Sequence, residues 1–271
     1  MSIINKITHP IAKRLPESNR LERIWKLGQV GFKKRYYNDR LGLLWALLNP
    51  ALRITVYYLV FTYVLERARE GIDNFAIFLY AGLLLWMAFN EGATAGMRIL
   101  KSNKHLIKNI QFNHIDLFLS SALSVFMGLG YNTVVFLLVC FFFDLSIAWQ
   151  YLWFIIPLYI NLVLILMGTS MILATIKVYV EDITHLWSVV TLIGFWSSGI
   201  FFPASMVLDK FYPMLYINPF VGMIDNLRRI TMWGGTPNYH FALINFVVGV
   251  LIFFVGYFYF KNYSHKAMER L

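Results

Sequence analysis

Charge is what this sequence lacks. Only 14% of its 271 residues are Asp, Glu, Lys or Arg, where a soluble domain carries about 25%. Set against 59% hydrophobic residues, that scarcity excludes a soluble globular fold and implies an integral membrane protein. Cysteine is nearly missing too. The lone Cys140 sits in an apolar run, which excludes a disulfide framework and a cysteine metal site. The sequence has no G-x-x-x-x-G-K-S/T phosphate cradle, no H-E-x-x-H and no G-x-S-x-G. The acids Glu181 and Asp182 stand alone, without the second acidic motif that would hold magnesium around a diphosphate. His105, His114 and His185 share no close spacing, so no metal site is expected. The chain is therefore read as a channel or transporter subunit rather than an enzyme. It binds no cofactor of its own, and active transport needs a partner or an ion gradient.

What the sequence has is apolar runs of spanning length, about 20 residues each. The first is 40–65, RLGLLWALLNPALRITVYYLVFTYVL. Within it Trp45, Asn49, Arg53, Tyr57 and Phe61 recur every fourth position, which draws one drifting ridge on a helix. A guanidinium at the depth of Arg53 is costly unless it faces protein or water. The ridge is thus expected to face a protein interior or a water-filled path. Glu91, near the cytoplasmic end of the second run, is a candidate partner for it. Five more runs follow at about 75–97, 117–143, 151–176, 183–202 and 241–260. The fold expected is an all-α integral membrane protein of six transmembrane helices. It divides into a cytoplasmic N-terminal segment at 1–40, a six-span domain at 41–260 and a cytoplasmic tail at 261–271.

The positions of the charges orient it. The N-terminal segment, the 98–116 and 177–182 loops and the tail after Lys261 hold 18 of the 24 Lys/Arg. By the positive-inside rule both termini are cytoplasmic. The net charge of +10 is accordingly a topology signal and a hold on anionic lipid, not a nucleic-acid site. Residues 1–40 show no signal-peptide core. Leu21, Ile24, Trp25 and Phe32 fall at helical spacing among basic residues, the pattern of an amphipathic helix at the membrane interface. A helix packed on another subunit is the competing reading.

Two cytoplasmic loops are short. KSNKHLIKNI at 101–110 mixes Lys101, Lys104, His105 and Lys108 with Leu106 and Ile107, as a small helix across the membrane face would. VYVEDITH at 178–185 is the other, with Tyr179, Glu181 and Asp182. The external segment 203–240 is apolar but broken by Pro203, Pro213 and Pro219. Asn218-Pro219 reads as an N-cap followed by Pro at the first helical position. Arg228 and Arg229 suit that helix's C-terminal end, and Gly234-Gly235 its stop. Two re-entrant helices between spans five and six are expected, with Phe211, Pro213, Pro219, Phe220, Ile224 and Arg228 forming an external gate. A loop lying on the membrane surface is the alternative.

These stretches resemble the ABC-2 type permeases that export polysaccharides, the Wzm-like O-antigen, capsule and teichoic-acid group. FKKRYYNDRLGLLWALLNP at 32–50 is similar to the family's entry into its first span. KHLIKNIQF at 104–112 is similar to the loop that the family sets against its ATPase, with Asn113 where Pro often follows. VYVEDI at 178–183 carries Glu181 where Arg is common, and GIFFP at 199–203 and INPFVGMIDNLRR at 217–229 resemble the fifth-span exit and the external gate. The resemblance implies a homodimer joined by two copies of a separate ATPase subunit that binds ATP and Mg. It implies export of a lipid-linked glycan, carried on undecaprenyl diphosphate, across the cell inner membrane. Aromatic faces stack on sugars while tolerating varied sequence. The first span offers Trp45, Tyr57 and Phe61 for this, and the fifth offers Trp187, Thr191, Phe195 and Trp196; packing within the core is the other role open to each. Two further readings compete, a small-molecule or drug exporter of the same fold and a membrane enzyme acting on a polyprenyl lipid.

Overall fold

The structure, a computed structural model, describes residues 19–36, 41–60, 63, 74–109, 112–206 and 218–270. Phe61, Phe211, Pro213 and most of the 66–74 loop lie outside the described residues. In chain order the helices are α1 (Arg20–Tyr36), a 3-10 turn (Gly42–Leu44), α2 (Trp45–Leu59), α3 (Phe75–Met97), α4 (Ile99–Ser102) and α5 (Lys104–Asn109). There follow α6 (Ile115–Phe142), a 3-10 turn (Trp149–Phe154), α7 (Ile155–Tyr179), α8 (Ile183–Ser197), a 3-10 turn (Ala204–Met206), α9 (Pro219–Thr231) and α10 (Tyr239–Glu269). Four segments are long and apolar enough to cross a membrane: Phe75–Met97, Ile115–Phe142, Trp149–Tyr179 and Tyr239–Ser264. The chain is a multi-pass membrane protein.

α3 is the central helix. Phe78, Leu79, Tyr80 and Ala81 follow one another round the helix, about 100° apart, and all are buried. A helix apolar all round is one enclosed by others; α3 packs on α2, α6, α7 and α9. The closest helix pair is α7 with α10. A Cβ on Gly168 would lie 2.3 Å from the Ile252 carbonyl oxygen, and one on Gly256 would lie 2.2 Å from that of Gly168. Small residues let the two backbones touch, which is how membrane helices gain dispersion contact when the lipid is as apolar as leucine.

The N-terminal helix is held to the bundle by more than its apolar stripe. Asp116, at the start of α6, is fully buried and accepts from Arg20 Nε and Arg23 Nη2, each at 2.8 Å. Gly28 packs against Leu123 of α6, while Leu21 and Trp25 are exposed. The predicted stripe thus divides. Ile24, Gly28 and Phe32 are at least partly covered, and Leu21 and Trp25 stay uncovered within the chain.

The fifth apolar run departs from expectation. It was drawn to Phe202, but α8 stops at Ser197. Gly199 then takes φ +77° and turns the chain, a conformation open to glycine without steric cost. Fifteen residues rise only about 22 Å, short of the ~30 Å hydrocarbon layer. At the other end of the chain, the expected tail at 261–271 continues the sixth span's helix as far as Glu269.

α9 begins as its sequence suggests. Asn218 accepts a hydrogen bond from the Phe220 N–H at 3.1 Å, and Pro219 occupies the first turn. Nearly every residue of α9 is buried, against α3 and α10. Arg228 stands in the last turn of α9, as its sequence position suggests, and its side chain is 1% exposed. Its Nη1 donates to Gly199 O at 2.7 Å and its Nη2 to Ile200 O at 2.7 Å. Nε and Nη2 both donate to Phe78 O, at 3.2 and 3.0 Å. The guanidinium also lies 3.3 Å from the centroid of the Phe78 ring. Asp225, a turn earlier, is engaged by Arg229 at 2.6 Å. One side chain therefore ties α9, the first turn of α3 and the turn after α8. A planar fork of five N–H donors can do this and a single ammonium cannot. Arg228→Ala and Arg228→Lys are both expected to lower the folded, monodisperse yield in detergent, with Arg228→Ala costing about 3 kcal/mol or more. Parent-like thermal unfolding of Arg228→Lys would show that charge alone suffices.

Candidate functional site

α2, α3 and α8 enclose a crevice of about 280 Å³. Each helix contributes a polar group and an aromatic or aliphatic wall. Arg53 and Tyr57 come from α2, Trp86, Asn90 and Glu91 from α3, and Ser188, Thr191 and Phe195 from α8. The four-residue spacing of Arg53 and Tyr57, of Trp86 and Asn90, and of Thr191 and Phe195 places each pair on one helical face. Arg53 and Glu91 are exposed and line the same opening. The crevice thus offers a guanidinium, a carboxylate, an amide and hydroxyls against aromatic walls.

Behind it stands an aromatic layer. The Tyr57 ring meets Phe195 at 5.8 Å and Phe201 at 5.4 Å. Trp86 meets Phe220 of α9 edge-on at 5.0 Å, and Phe89 meets Phe220 at 4.7 Å. Such pairs add roughly 0.5–1.5 kcal/mol beyond the area they bury. Phe220 and Ile224 are buried inside one chain. α9 is therefore sealed to α3 before any second copy is considered.

The two short loops, 101–110 and 178–185, meet. Lys101 pairs with Glu181, and Lys177 Nζ donates to Glu181 O and to Thr184 Oγ1, both at 2.7 Å. The hydrogen bond from Lys101 holds the Glu181 carboxyl below its ordinary pKa. Glu181 therefore stays ionised to a lower pH than a free glutamate, and the contact is lost as pH falls through that lowered value. Arg270, just past α10, lies 4.8 Å over the Tyr179 ring. On α5, Leu106 and Ile107 pack inward, while Lys104, His105 and Lys108 are exposed. Asp182, next to Glu181 in the second loop, is exposed as well. Around the Lys101–Glu181 contact the two loops form a mixed, mainly basic face.

The structure thus brings Arg53, Tyr57, Thr191 and Phe195 into one crevice. Of the other residues expected to line a path, Trp45 is half-buried and Asn49 exposed. Trp187 packs on Phe89 at 6.1 Å. Trp196 stacks on Phe201 at 4.8 Å. None of these four lines the crevice.

Residues 22–232 match the ABC-2 type transporter family. That is most of the chain, from α1 to the residue after α9. The chain belongs to the ABC-2 type transporter family. It is 27% identical over 239 residues to an O-antigen export system permease protein RfbA of Klebsiella pneumoniae, covering 88% of this chain and 91% of that protein. A protein of the same name from Myxococcus xanthus is 26% identical over 259 residues, 90% and 94% of the two chains. The polysialic acid transport protein KpsM of Escherichia coli is 22% identical over 235 residues, 82% and 88%.

In this ABC-2 chain both the crevice and the Lys101–Glu181 contact between the loops fall inside the family match. Leu83, Trp86, Met87 and Asn90 of α3, and Ser188 and Leu192 of α8, are crevice residues that the sequence did not single out. Trp86 and Asn90 are four apart in an otherwise apolar run, the same signal that picked out the ridge of α2. Exposure settles how Arg53 behaves on removal. Its side chain is not locked in a buried pair, so Arg53→Ala is expected to keep the thermal midpoint within about 0.5 kcal/mol of the parent. A collapse of folded yield, restored by adding Glu91→Gln, would instead make the two a structural pair.

Proposed function

We propose that this chain is the membrane subunit of an ATP-driven exporter of lipid-linked polysaccharide, carried on undecaprenyl diphosphate. It works as a homodimer with two copies of a separate ATPase subunit. The names of its relatives support the cargo class. The observation that carries the reading is the crevice, because it sets an exposed guanidinium and aromatic rings on a membrane-embedded face. An exposed arginine at that depth in lipid is costly, so protein or water must cover it. α8 supports a second copy as the cover. None of its residues is buried, and Leu186, Val189, Val190 and Ile193 are each more than half exposed. Two copies meeting along α2 and α8 place their crevices across a common path. Tyr57 and Phe195 then offer stacking faces to sugars, and Arg53 offers a cation to the diphosphate.

In this reading α2 and α8 complete a six-span domain in the cytoplasmic membrane, with both termini inside. α9 is the external gate that closes the path at rest. The ATPase docks on the face built by α5 and the 179–184 loop, where Lys104, His105 and Asp182 are open to a partner. α1 lies in the interface with Leu21 and Trp25 toward lipid.

The test uses cysteine crosslinking in cells that express the chain with its ATPase. Cysteines at His105 and Asp182 are expected to crosslink to the ATPase, and cysteines in the 66–74 loop are not. The reverse pattern means an inverted topology. In the same cells Arg53→Ala is expected to lower surface glycan about tenfold while the protein accumulates normally. Unchanged glycan display with Arg53→Ala removes the diphosphate role.

A further inference from the structure

The crevice between α2, α3 and α8 is sorted by the sense of its hydrogen bonds. A serine or threonine hydroxyl has one proton to give and two lone pairs with which to accept. On α8 both of the crevice's hydroxyls have already given theirs. Ser188 Oγ donates to His185 O at 2.6 Å. Thr191 Oγ1 donates to Trp187 O and to Ser188 O, each at 3.0 Å. A carbonyl only accepts, so in each of these bonds the proton belongs to the hydroxyl. What the two side chains turn toward the crevice is therefore acceptor capacity. The Glu91 carboxylate adds acceptors from α3. Arg53 on α2 has the opposite sense, with five N–H donors and no acceptor. These groups line one opening of about 280 Å³.

A ligand that suits this opening presents O–H or N–H donors to α8 and acceptor oxygens to Arg53. A cationic amine satisfies the α8 side but meets the guanidinium in the same small space, where like charges repel. A bare diphosphate satisfies Arg53 but sets its own oxygens against those of α8. A sugar joined to a phosphate has both senses, since its ring hydroxyls donate and its phosphate accepts. Ser188 and Thr191 are three residues apart on a helix, so they are neighbours with Cβ atoms about 5–6 Å apart. One sugar ring spans that distance with two of its hydroxyls. The Tyr57 and Phe195 rings, 5.8 Å apart between centroids, stand beside it for stacking. The volume lies just below the usual range of small-ligand sites, about 300–1,000 Å³, which suits a single ring with its phosphate and not a run of sugars.

We propose that Ser188 and Thr191 determine specificity for the sugar bonded directly to the diphosphate, by accepting from its free hydroxyls. The inference rests on the reading of Arg53 as the diphosphate's contact and adds what is recognised beside it. A sugar whose hydroxyls are capped has nothing to donate. To meet the oxygens of such a sugar, Thr191 must withdraw its proton from two backbone carbonyls. The crevice thus reads the one unit next to the diphosphate, and the sugars beyond it lie outside the opening.

The experiment uses the full chain in lipid nanodiscs, with empty nanodiscs as background, and equilibrium binding of two radiolabelled probes. One is farnesyl diphosphoglucose. The other is the same molecule with fluorine in place of each free sugar hydroxyl, which is similar in size but cannot donate. On the parent chain the hydroxyl probe is expected to bind about tenfold tighter than the fluorinated one. Thr191→Val with Ser188→Ala is expected to bring the two affinities together, and Thr191→Ser to preserve the difference. Arg53→Ala is expected to weaken both probes alike. Equal binding of the two probes by the parent, with Arg53→Ala still weakening both, overturns the inference and leaves the diphosphate reading in place. A difference that survives Thr191→Val with Ser188→Ala also overturns it, because other groups then read the sugar. An Arg53→Ala chain that binds both probes as the parent does removes the diphosphate reading instead, while the hydroxyl-to-fluorine ratio still reports on α8. Should the double variant not fold, Thr191→Val alone is expected to lower that ratio about threefold, and an unchanged ratio overturns the inference.

Discussion

A charged group inside this bundle must find its partners within the protein, and Arg228 shows how strongly that rule shapes the chain. Its guanidinium is held by the backbone carbonyls of Phe78, Gly199, Ile200 and Phe202 and by an aromatic face. The carbonyls of Gly199 and Ile200 are available because α8 has ended at Ser197 and the chain turns at Gly199 instead of continuing a helical ladder. The dipole of α8 adds partial negative charge at the same place. The early end of α8, the turn at Gly199 and the burial of α9 are therefore one arrangement. Remove the guanidinium and the carbonyls of that turn lose their donors.

The same rule operates at the other end of α3 with more ordinary means. Asp116 is buried but takes two arginines, so α1 is bound to α6 through a charge that would be costly alone. Lys101 and Glu181 meet in a more exposed setting, where an ion pair is worth little energy but still fixes geometry. It joins the two loops that α3 and α7 feed, so movement of one is felt by the other.

The crevice of α2, α3 and α8 follows the opposite pattern. Arg53 and Glu91 are exposed there rather than enclosed, and α8 buries none of its residues within one chain. Elsewhere in the bundle the buried charges of Arg228 and Asp116 are answered within the chain. The contrast separates scaffold from working surface. α3 belongs to both, since Phe78 seats Arg228 and Trp86 walls the crevice.

The sequence by itself determined what depends on neighbouring residues. Low charge and long apolar runs fixed the membrane class and the helices α3, α6, α7 and α10. Asn218-Pro219 fixed the start of α9, because an N-cap and its proline act within one turn. The four-spaced ridge put Arg53 with Tyr57, and Thr191 with Phe195, on shared faces. Only the tertiary structure decided what depends on groups far apart in the chain. Arg228 and Phe78 are 150 residues apart, and no local pattern distinguishes a caged arginine from one that ends a helix in water. The fifth apolar run reads as continuous to Phe202, yet the chain turns at Gly199 where the Arg228 fork receives its carbonyls. α3 was legible as a span but not as the third wall of the crevice, since helical periodicity tells which residues share a face and is silent about what that face meets.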